Sequence, residues 1–159
     1  MTLLDKEPVK RVEKCLKEFD QTQKVIILDS SARTASDAAS SLSCEIGAIV
    51  KSLLFKTENN FILCLIAGDK KASLNKIKKM LNIKDVSMSS ADDVKNITGF
   101  TIGGVSPIGH LNKIDIFIDN SLKRFNNLYA AAGHPNCIFK INFTDLQKIS
   151  KGSIRELTD

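Results

Sequence analysis

Lys51 stands where a lysine is hard to explain. If residues 46–56 form a strand, Ile49, Lys51, Leu53 and Phe55 share one face and Val50, Ser52 and Leu54 the other, which sets an ammonium among apolar neighbours. An isolated buried charge is costly, so it must pair with an anion, deprotonate, or reach an edge on its long stem. The alternative is a cation aimed at a substrate's phosphate, carboxylate or developing oxyanion. A second segment, Gly99-Phe100-Thr101-Ile102-Gly103-Gly104-Val105-Ser106-Pro107-Ile108-Gly109-His110, holds four glycines and a proline in twelve residues. Such a backbone can turn sharply and present successive N–H groups, the equipment of an anion or oxyanion nest; a plain connecting loop has the same composition. There is no GxxxxGK[ST], hence no P-loop. Gly104-Val105-Ser106-Pro107-Ile108 ends in Ile where a nucleophile elbow needs glycine, which leaves Ser106 a weak nucleophile. The only histidines, His110 and His134, each follow a glycine, and turn histidines serve as ligands, as proton carriers, or merely as backbone partners. Asp69, in Gly68-Asp69-Lys70, reads as turn chemistry.

The elements that position these residues follow from hydrophobic spacing. Val9, Val12, Leu16 and Phe19 recur at steps of three, four and three behind Pro8, which predicts a helix over roughly residues 5–20 covering the core from outside. Residues 25–28 are an apolar run of strand length, and Thr34 can cap a helix over 35–43, with Asp37 three residues on. Strands at 46–56 and 61–67 flank the polar break Thr57-Glu58-Asn59-Asn60, of hairpin length. Leu74, Ile77 and Leu81 mark a helix, 91–97 a shorter one, and 99–109 a loop. Strands are predicted at 114–118, 128–132 and 138–143, with Gly133-His134-Pro135-Asn136 a turn, and Thr144 or Asp145 starts a last helix. Hairpins mixed with crossovers predict a single α+β domain over 1–159, an N-terminal helix region 1–24 and a core 25–150, built on a mixed, largely antiparallel sheet flanked by helices.

Composition narrows the function classes. At 159 residues the chain suits one domain, and no run approaches the roughly 18 apolar residues of a membrane helix. The first residues lack a basic start followed by an apolar core, so a cytoplasmic protein is expected. Cys15, Cys44, Cys64 and Cys137 are irregularly spaced with no CxxC pair, which reads as reduced core thiols; no metal and no cofactor are expected. Net charge is +5, and the first 80 residues carry 14 Lys and Arg against 10 Asp and Glu. Lys70, Lys71, Lys76, Lys78 and Lys79 form the densest cluster, either a solvated helix face or a patch that contacts phosphates.

Taken in order, five segments carry a resemblance: Thr34-Ala35-Ser36-Asp37-Ala38-Ala39, Ala48-Ile49-Val50-Lys51-Ser52-Leu53-Leu54-Phe55, Ala67-Gly68-Asp69, Ile102-Gly103-Gly104-Val105-Ser106-Pro107-Ile108-Gly109-His110, and Ala130-Ala131-Ala132-Gly133-His134-Pro135-Asn136-Cys137-Ile138-Phe139. Together they resemble the YbaK and prolyl-tRNA-synthetase-associated editing-domain family, whose members hydrolyse mischarged aminoacyl-tRNA. The likeness runs from about residue 25 to residue 149. It implies a YbaK-like fold, with Lys51 the essential lysine anchoring the terminal nucleotide. It implies that backbone amides from Gly103 through Gly104, Val105 and Ser106 to Pro107 hold the aminoacyl carbonyl, with Gly109 also at the substrate. It further implies that Gly133 and His134 wall the pocket, and that a ribose hydroxyl of the substrate helps to position or deprotonate the water. The partner implied is the acceptor end of an aminoacyl-tRNA, with a synthetase as a second candidate and neither membrane nor DNA; the cargo is a small amino acid such as Cys, Ala, Ser or Thr. A thiol cargo could also release the tRNA by its own cyclisation. The competing reading is a non-catalytic module that binds an RNA end or regulates a synthetase. With 6% aromatic residues and no Trp, the chain is poorly supplied with stacking platforms for single strands. The N-terminal helix is the part least covered by the likeness, open to tRNA or partner docking.

Overall fold

The computed structural model describes residues 2–29 and 34–159. Met1 and residues 30–33, which the single-domain reading takes in, lie outside the described residues. The elements in chain order are α1 (Glu7–Phe19), β1 (Ile26–Ile27), α2 (Ala35–Leu42), β2 (Ile49–Thr57), β3 (Phe61–Ala67), α3 (Leu74–Leu81), β4 (Val86–Met88), α4 (Ala91–Thr98), β5 (Asp115–Asp119), β6 (Leu128–His134), β7 (Cys137–Ile141), α5 (Phe143–Ser150) and β8 (Ser153–Arg155).

Local chemistry explains most boundaries. α1 carries Pro8 in its first turn, where a missing N–H costs nothing, and its Val9, Val12 and Leu16 are fully buried; Phe19, the last residue of the predicted stripe, is instead exposed. The side chains of Thr34, Ser73, Ser90 and Asn142 each accept from the N–H three residues on, which caps α2, α3, α4 and α5. The Asn142 cap also corrects the sequence reading, since β7 stops at Ile141 and the last helix begins at Phe143. Residues 46–48 form a 3₁₀ turn, so β2 opens at Ile49. β6 continues through Gly133 to His134, where a turn was predicted, and β4 and β8 are strands the sequence did not announce.

The sheet is eight-stranded and mixed, in the order β1-β7-β6-β2-β3-β5-β8, with β4 on the same side of β2 as β6. Four of its pairings are antiparallel and three parallel, an α+β arrangement. Alternation along β2 and β3 sends Val50, Leu54, Leu63 and Leu65 to one face, where α1, Phe100 and α5 close the larger core. Phe55, Ile62, Cys64 and Ile66 go to the other face, under Ile77 of α3.

One irregularity positions the site. β2 pairs with β3 along its whole length, yet its opposite edge meets β6 only at Ile49 and Val50 and β4 only from Phe55 to Thr57. Between those patches the sheet splits. In the β2–β3 ladder the Ile49 C=O accepts from Gly68 N–H and the Thr57 N–H donates to Asn60 C=O, so odd-numbered residues turn their backbone polar groups toward β3. Even-numbered residues turn theirs away, and the Leu54 C=O accordingly accepts from Ser89 N–H beyond β4. Ser52 falls in the gap, so its backbone N–H and C=O face an opening where a strand would otherwise lie.

Candidate active site

A cavity of about 470 Å³ fills this split, within the ~300–1,000 Å³ range of ligand pockets. Its walls include Lys51 and Ser52 of β2, Met88 and Ser89 at the end of β4, Ile102, Gly103 and Val105 of the glycine-rich loop, and Ala130 and Ala131 of β6. The surroundings are largely apolar, and Met88 and Ile102 leave hydrophobic surface exposed at 58% and 65%. Two polar atoms stand out against it. The hydroxyls of Ser52 and Ser89 are buried and bond to nothing among the described residues, a condition that costs about 1–3 kcal/mol per group.

Lys51 is half-buried, and its Nζ donates to the C=O of Lys70 in the turn after β3. Among the described residues no carboxylate lies within ion-pair distance of it; the pairs formed are Arg11–Glu7, Lys76–Glu156 and Arg124–Asp69. Burial pushes its pKa below the ordinary lysine value, the more distant charge of Asp69 pulls it back up, and Lys71 presses it down again. Asp69 itself is committed to Arg124 through two hydrogen bonds, at 2.9 and 2.7 Å, which hold its carboxyl below the usual range. That makes Asp69 an anchor and not a free base, in line with its reading as turn chemistry. An ammonium with three donors and one protein acceptor has capacity left for an anionic or carbonyl ligand in the cavity.

The loop across the cavity is tightly set. Gly104 N–H donates to Thr101 C=O at 3.0 Å, and Gly103, third in that turn, has φ of +96°, which a type II turn demands of its third residue. Gly104 C=O then accepts from Gly133 N–H at 3.0 Å, joining the loop to β6. A Cβ on Gly104 would stand 2.8 Å from His134 N and 2.9 Å from Gly133 C, so only glycine permits this approach. The Gly104 amide is therefore spoken for and Pro107 has none, whereas the Gly103 and Val105 amides donate to no backbone acceptor among the described residues.

The structure thus brings Lys51, Gly103 and Val105 of the candidate residues to one cavity, whereas Gly104, Ser106, Pro107, Gly109, Gly133 and His134 are not among its lining residues. Ser106 is fully buried, its Oγ accepting from Ile108 N–H at 3.3 Å, and the His110 Nε2 bonds the Ser106 carbonyl and not its hydroxyl. A serine–histidine nucleophile is absent at that position. His134 Nδ1 accepts from Asn136 N–H at 3.1 Å, which shapes the β6–β7 turn. Ser52, Ser89, Met88 and Ile102 line the site without having been singled out; only the exposed isoleucine within a glycine loop left a trace in the sequence. Among the described residues no three His, Cys, Asp or Glu side chains gather as a metal site, and all four cysteines are free. Burial first and Asp119 second push the Cys64 thiol up to about 12, the mark of an inert core residue. No helix among the described residues is long and apolar enough to cross a membrane.

Known proteins resemble this chain in sequence and fold. Proline–tRNA ligase of Caldicellulosiruptor bescii is 28% identical over 153 residues, which cover 96% of this chain and 25% of the ligase. The chain therefore spans about a quarter of the length of such relatives. The uncharacterised protein YwhH of Bacillus subtilis is 29% identical over 143 residues, 89% of this chain and 90% of that one. A solved structure of a candidate trans-editing enzyme for prolyl-tRNA synthetase superposes with a TM-score of 0.90 at 30% identity, covering 97% of this chain and 98% of the other. The model of the aminoacyl-tRNA editing domain matches residues 29–149, well over half of the sequence, and the chain belongs to that family.

Proposed function

We propose that this protein is an aminoacyl-tRNA deacylase acting in trans, which clears a small amino acid such as Cys, Ala, Ser or Thr from mischarged tRNA in the cytoplasm. The observation that carries the reading is that Lys51, paired with no carboxylate among the described residues, lines the same cavity as Gly103 and Val105, whose amides donate to no backbone acceptor there. The amino acid and its ester enter the split, the terminal nucleotide lies against Lys51, and the ester carbonyl points at the two amides. Water attacks the carbonyl carbon, the new C–O bond forms, and charge collects on the carbonyl oxygen. Preorganised N–H donors at such a position contribute about 3–4 kcal/mol apiece in well-studied hydrolases. The ester C–O bond then breaks, the ribose oxygen takes the proton, and a free amino acid leaves the intact tRNA. With Asp69 tied to Arg124 and Ser106 buried, no side chain of the site is needed as nucleophile.

The names of the relatives point to the tRNA that prolyl-tRNA synthetase charges as the substrate, and to that synthetase as a partner. Lys70 and Lys71, beside Lys51 at the start of the basic cluster, supply charge for the acceptor stem, whereas Lys76 is engaged by Glu156 and the Thr158 carbonyl. The test is release of amino acid from Ala-, Cys-, Ser- and Thr-charged tRNA by the wild type and by Lys51→Ala. Hydrolysis lost in a folded Lys51→Ala protein supports the assignment. Salt-sensitive RNA binding without hydrolysis of any of the four would replace it with a non-catalytic module.

A further inference from the structure

We propose that Arg11 is the positioning residue of this site: from α1 it clips together the two ends of the glycine loop and so holds the Gly103 and Val105 amides against the cavity. The inference rests on the deacylase reading given above. Arg11 Nε donates to Gly109 C=O at 2.9 Å and its Nη2 donates to Gly99 C=O at 3.0 Å. Those carbonyls mark the two ends of the loop, ten residues apart in sequence. The third nitrogen, Nη1, is taken by Glu7 one turn earlier on α1. The guanidinium also lies over the ring of Phe100, 4.9 Å from its centroid, and Phe100 is wholly buried. All three nitrogens and one face of the plane are engaged, and the side chain is 18% exposed. A surface arginine satisfied by water shows none of this.

The clip is mounted on a rigid base. Val9, Val12 and Leu16 of α1 are fully buried in the larger core together with Phe100, which fastens the helix to the sheet. Its backbone also abuts two glycines, Gly133 of β6 and Gly109 of the loop. A Cβ on Gly133 would stand 2.8 Å from the Pro8 carbonyl carbon, and one on Gly109 would stand 3.3 Å from the backbone of Arg11 and Val12. α1 is therefore a working part of the site, where the sequence left it as a separate helix open to docking. Fixing both ends of a loop removes most of its alternative conformations, and the donors between them are then held in place before substrate arrives. Only a planar fork suits the task, because a lysine ammonium is a single point donor and cannot span two carbonyls while covering a ring.

The decisive experiment compares Arg11→Lys and Arg11→Ala with the wild type by amide hydrogen exchange and by steady-state deacylation, both well below the melting temperature. Exchange at residues 101–106 is expected to rise tenfold or more in both variants, with β2 and β3 amides unchanged. kcat is expected to fall at least tenfold with KM within about threefold, since the affected contacts are those of the transition state, and Arg11→Lys should recover less than half of the loss in free energy. A folded variant with wild-type loop exchange, or with wild-type kcat despite a lowered melting temperature, overturns the proposal and leaves Arg11 a stabilising residue only. Should Arg11→Ala not fold, Arg11→Lys keeps stem and charge and decides alone. A wild type inactive on every charged tRNA would refute the deacylase reading instead, and loop exchange would still decide whether Arg11 is the clip.

Discussion

Gly104→Ala probes the junction on which the site geometry depends. An added Cβ would meet His134 N at 2.8 Å, Gly133 C at 2.9 Å and His134 Cα at 3.0 Å, all backbone atoms that cannot swing aside. Ordinary contact at a Cβ begins near 3.4 Å, so loop and strand must part by 3.4 − 2.8, roughly 0.6 Å. Movement of that size takes the Gly133 N–H to Gly104 C=O distance from 3.0 Å to about 3.6 Å, beyond hydrogen-bond range. Overpacking costs about 1–3 kcal/mol and the lost bond about 1 more, so the variant should be some 2–4 kcal/mol less stable. In a domain of this length that lowers Tm by roughly 4–16 °C, at about 2–4 °C per kcal/mol. Because Gly103 and Val105 flank the displaced residue, deacylation should also fall by about tenfold or more, given that ~1 Å misplacements cost up to ~100-fold. Calorimetry and single-turnover deacylation at 20 °C below Tm measure both effects. A Tm within about 1 °C of wild type, with unchanged turnover, would show that loop and strand do not meet there, and the packing behind the two amides would be wrong.

Two further expectations rest on buried polar groups. Ser52→Ala and Ser89→Ala each delete a hydroxyl that bonds to nothing among the described residues, so stability should hold level or rise, by at most the roughly 1–3 kcal/mol that such a buried group costs. Denaturant melts check this, and a loss of 2 kcal/mol or more would mean the hydroxyls are bonded in the folded state; any effect on turnover should be largest for cargoes carrying a hydroxyl. Burial, with Arg11 nearby, holds the His110 imidazole below its ordinary value of 6.5, against the opposing pull of the Ser106 carbonyl. The folded state thus favours neutral His110, whose contribution to stability is complete above pH 6.5 and is lost as pH falls from there through the lower folded value. Denaturant melts from pH 8 to 5 should show a downward slope below 6.5 that flattens in His110→Gln, and an identical slope in the two proteins would refute the assignment.

Most helices were legible because their causes are local. The stripe of α1, the Thr34 cap of α2, the apolar spacing of α3, and the glycines of the loop at 99–109 each act within a few residues. Lys51 was legible for a related reason: an ammonium in an apolar strand violates the alternation around it, and the violation can be read without knowing what lies opposite. β4 and β8 were not, since three residues are too few to display a period, and the start of β2 was misplaced because Ile46 and Ala48 suit a strand as well as the 3₁₀ turn they form.

The cavity itself was illegible for a deeper reason. It exists because β6 leaves β2 after Val50 and β4 joins only at Phe55, and nothing within residues 49–57 encodes where a neighbour stops pairing. Ser52 reads as an ordinary polar member of an alternating strand until its missing partner is known, and Arg11 reads as a solvated helix residue until the loop folds beneath it. Residues that do chemistry by their own type, such as a buried cation, announce themselves in sequence. Residues that act by where the chain interrupts itself do not, and here the groups that shape the site are mostly of the second kind. A substitution chosen from sequence alone would therefore test Lys51 and the glycine loop and pass over Arg11, whose contribution depends on distances near 3 Å to carbonyls 88 and 98 residues away.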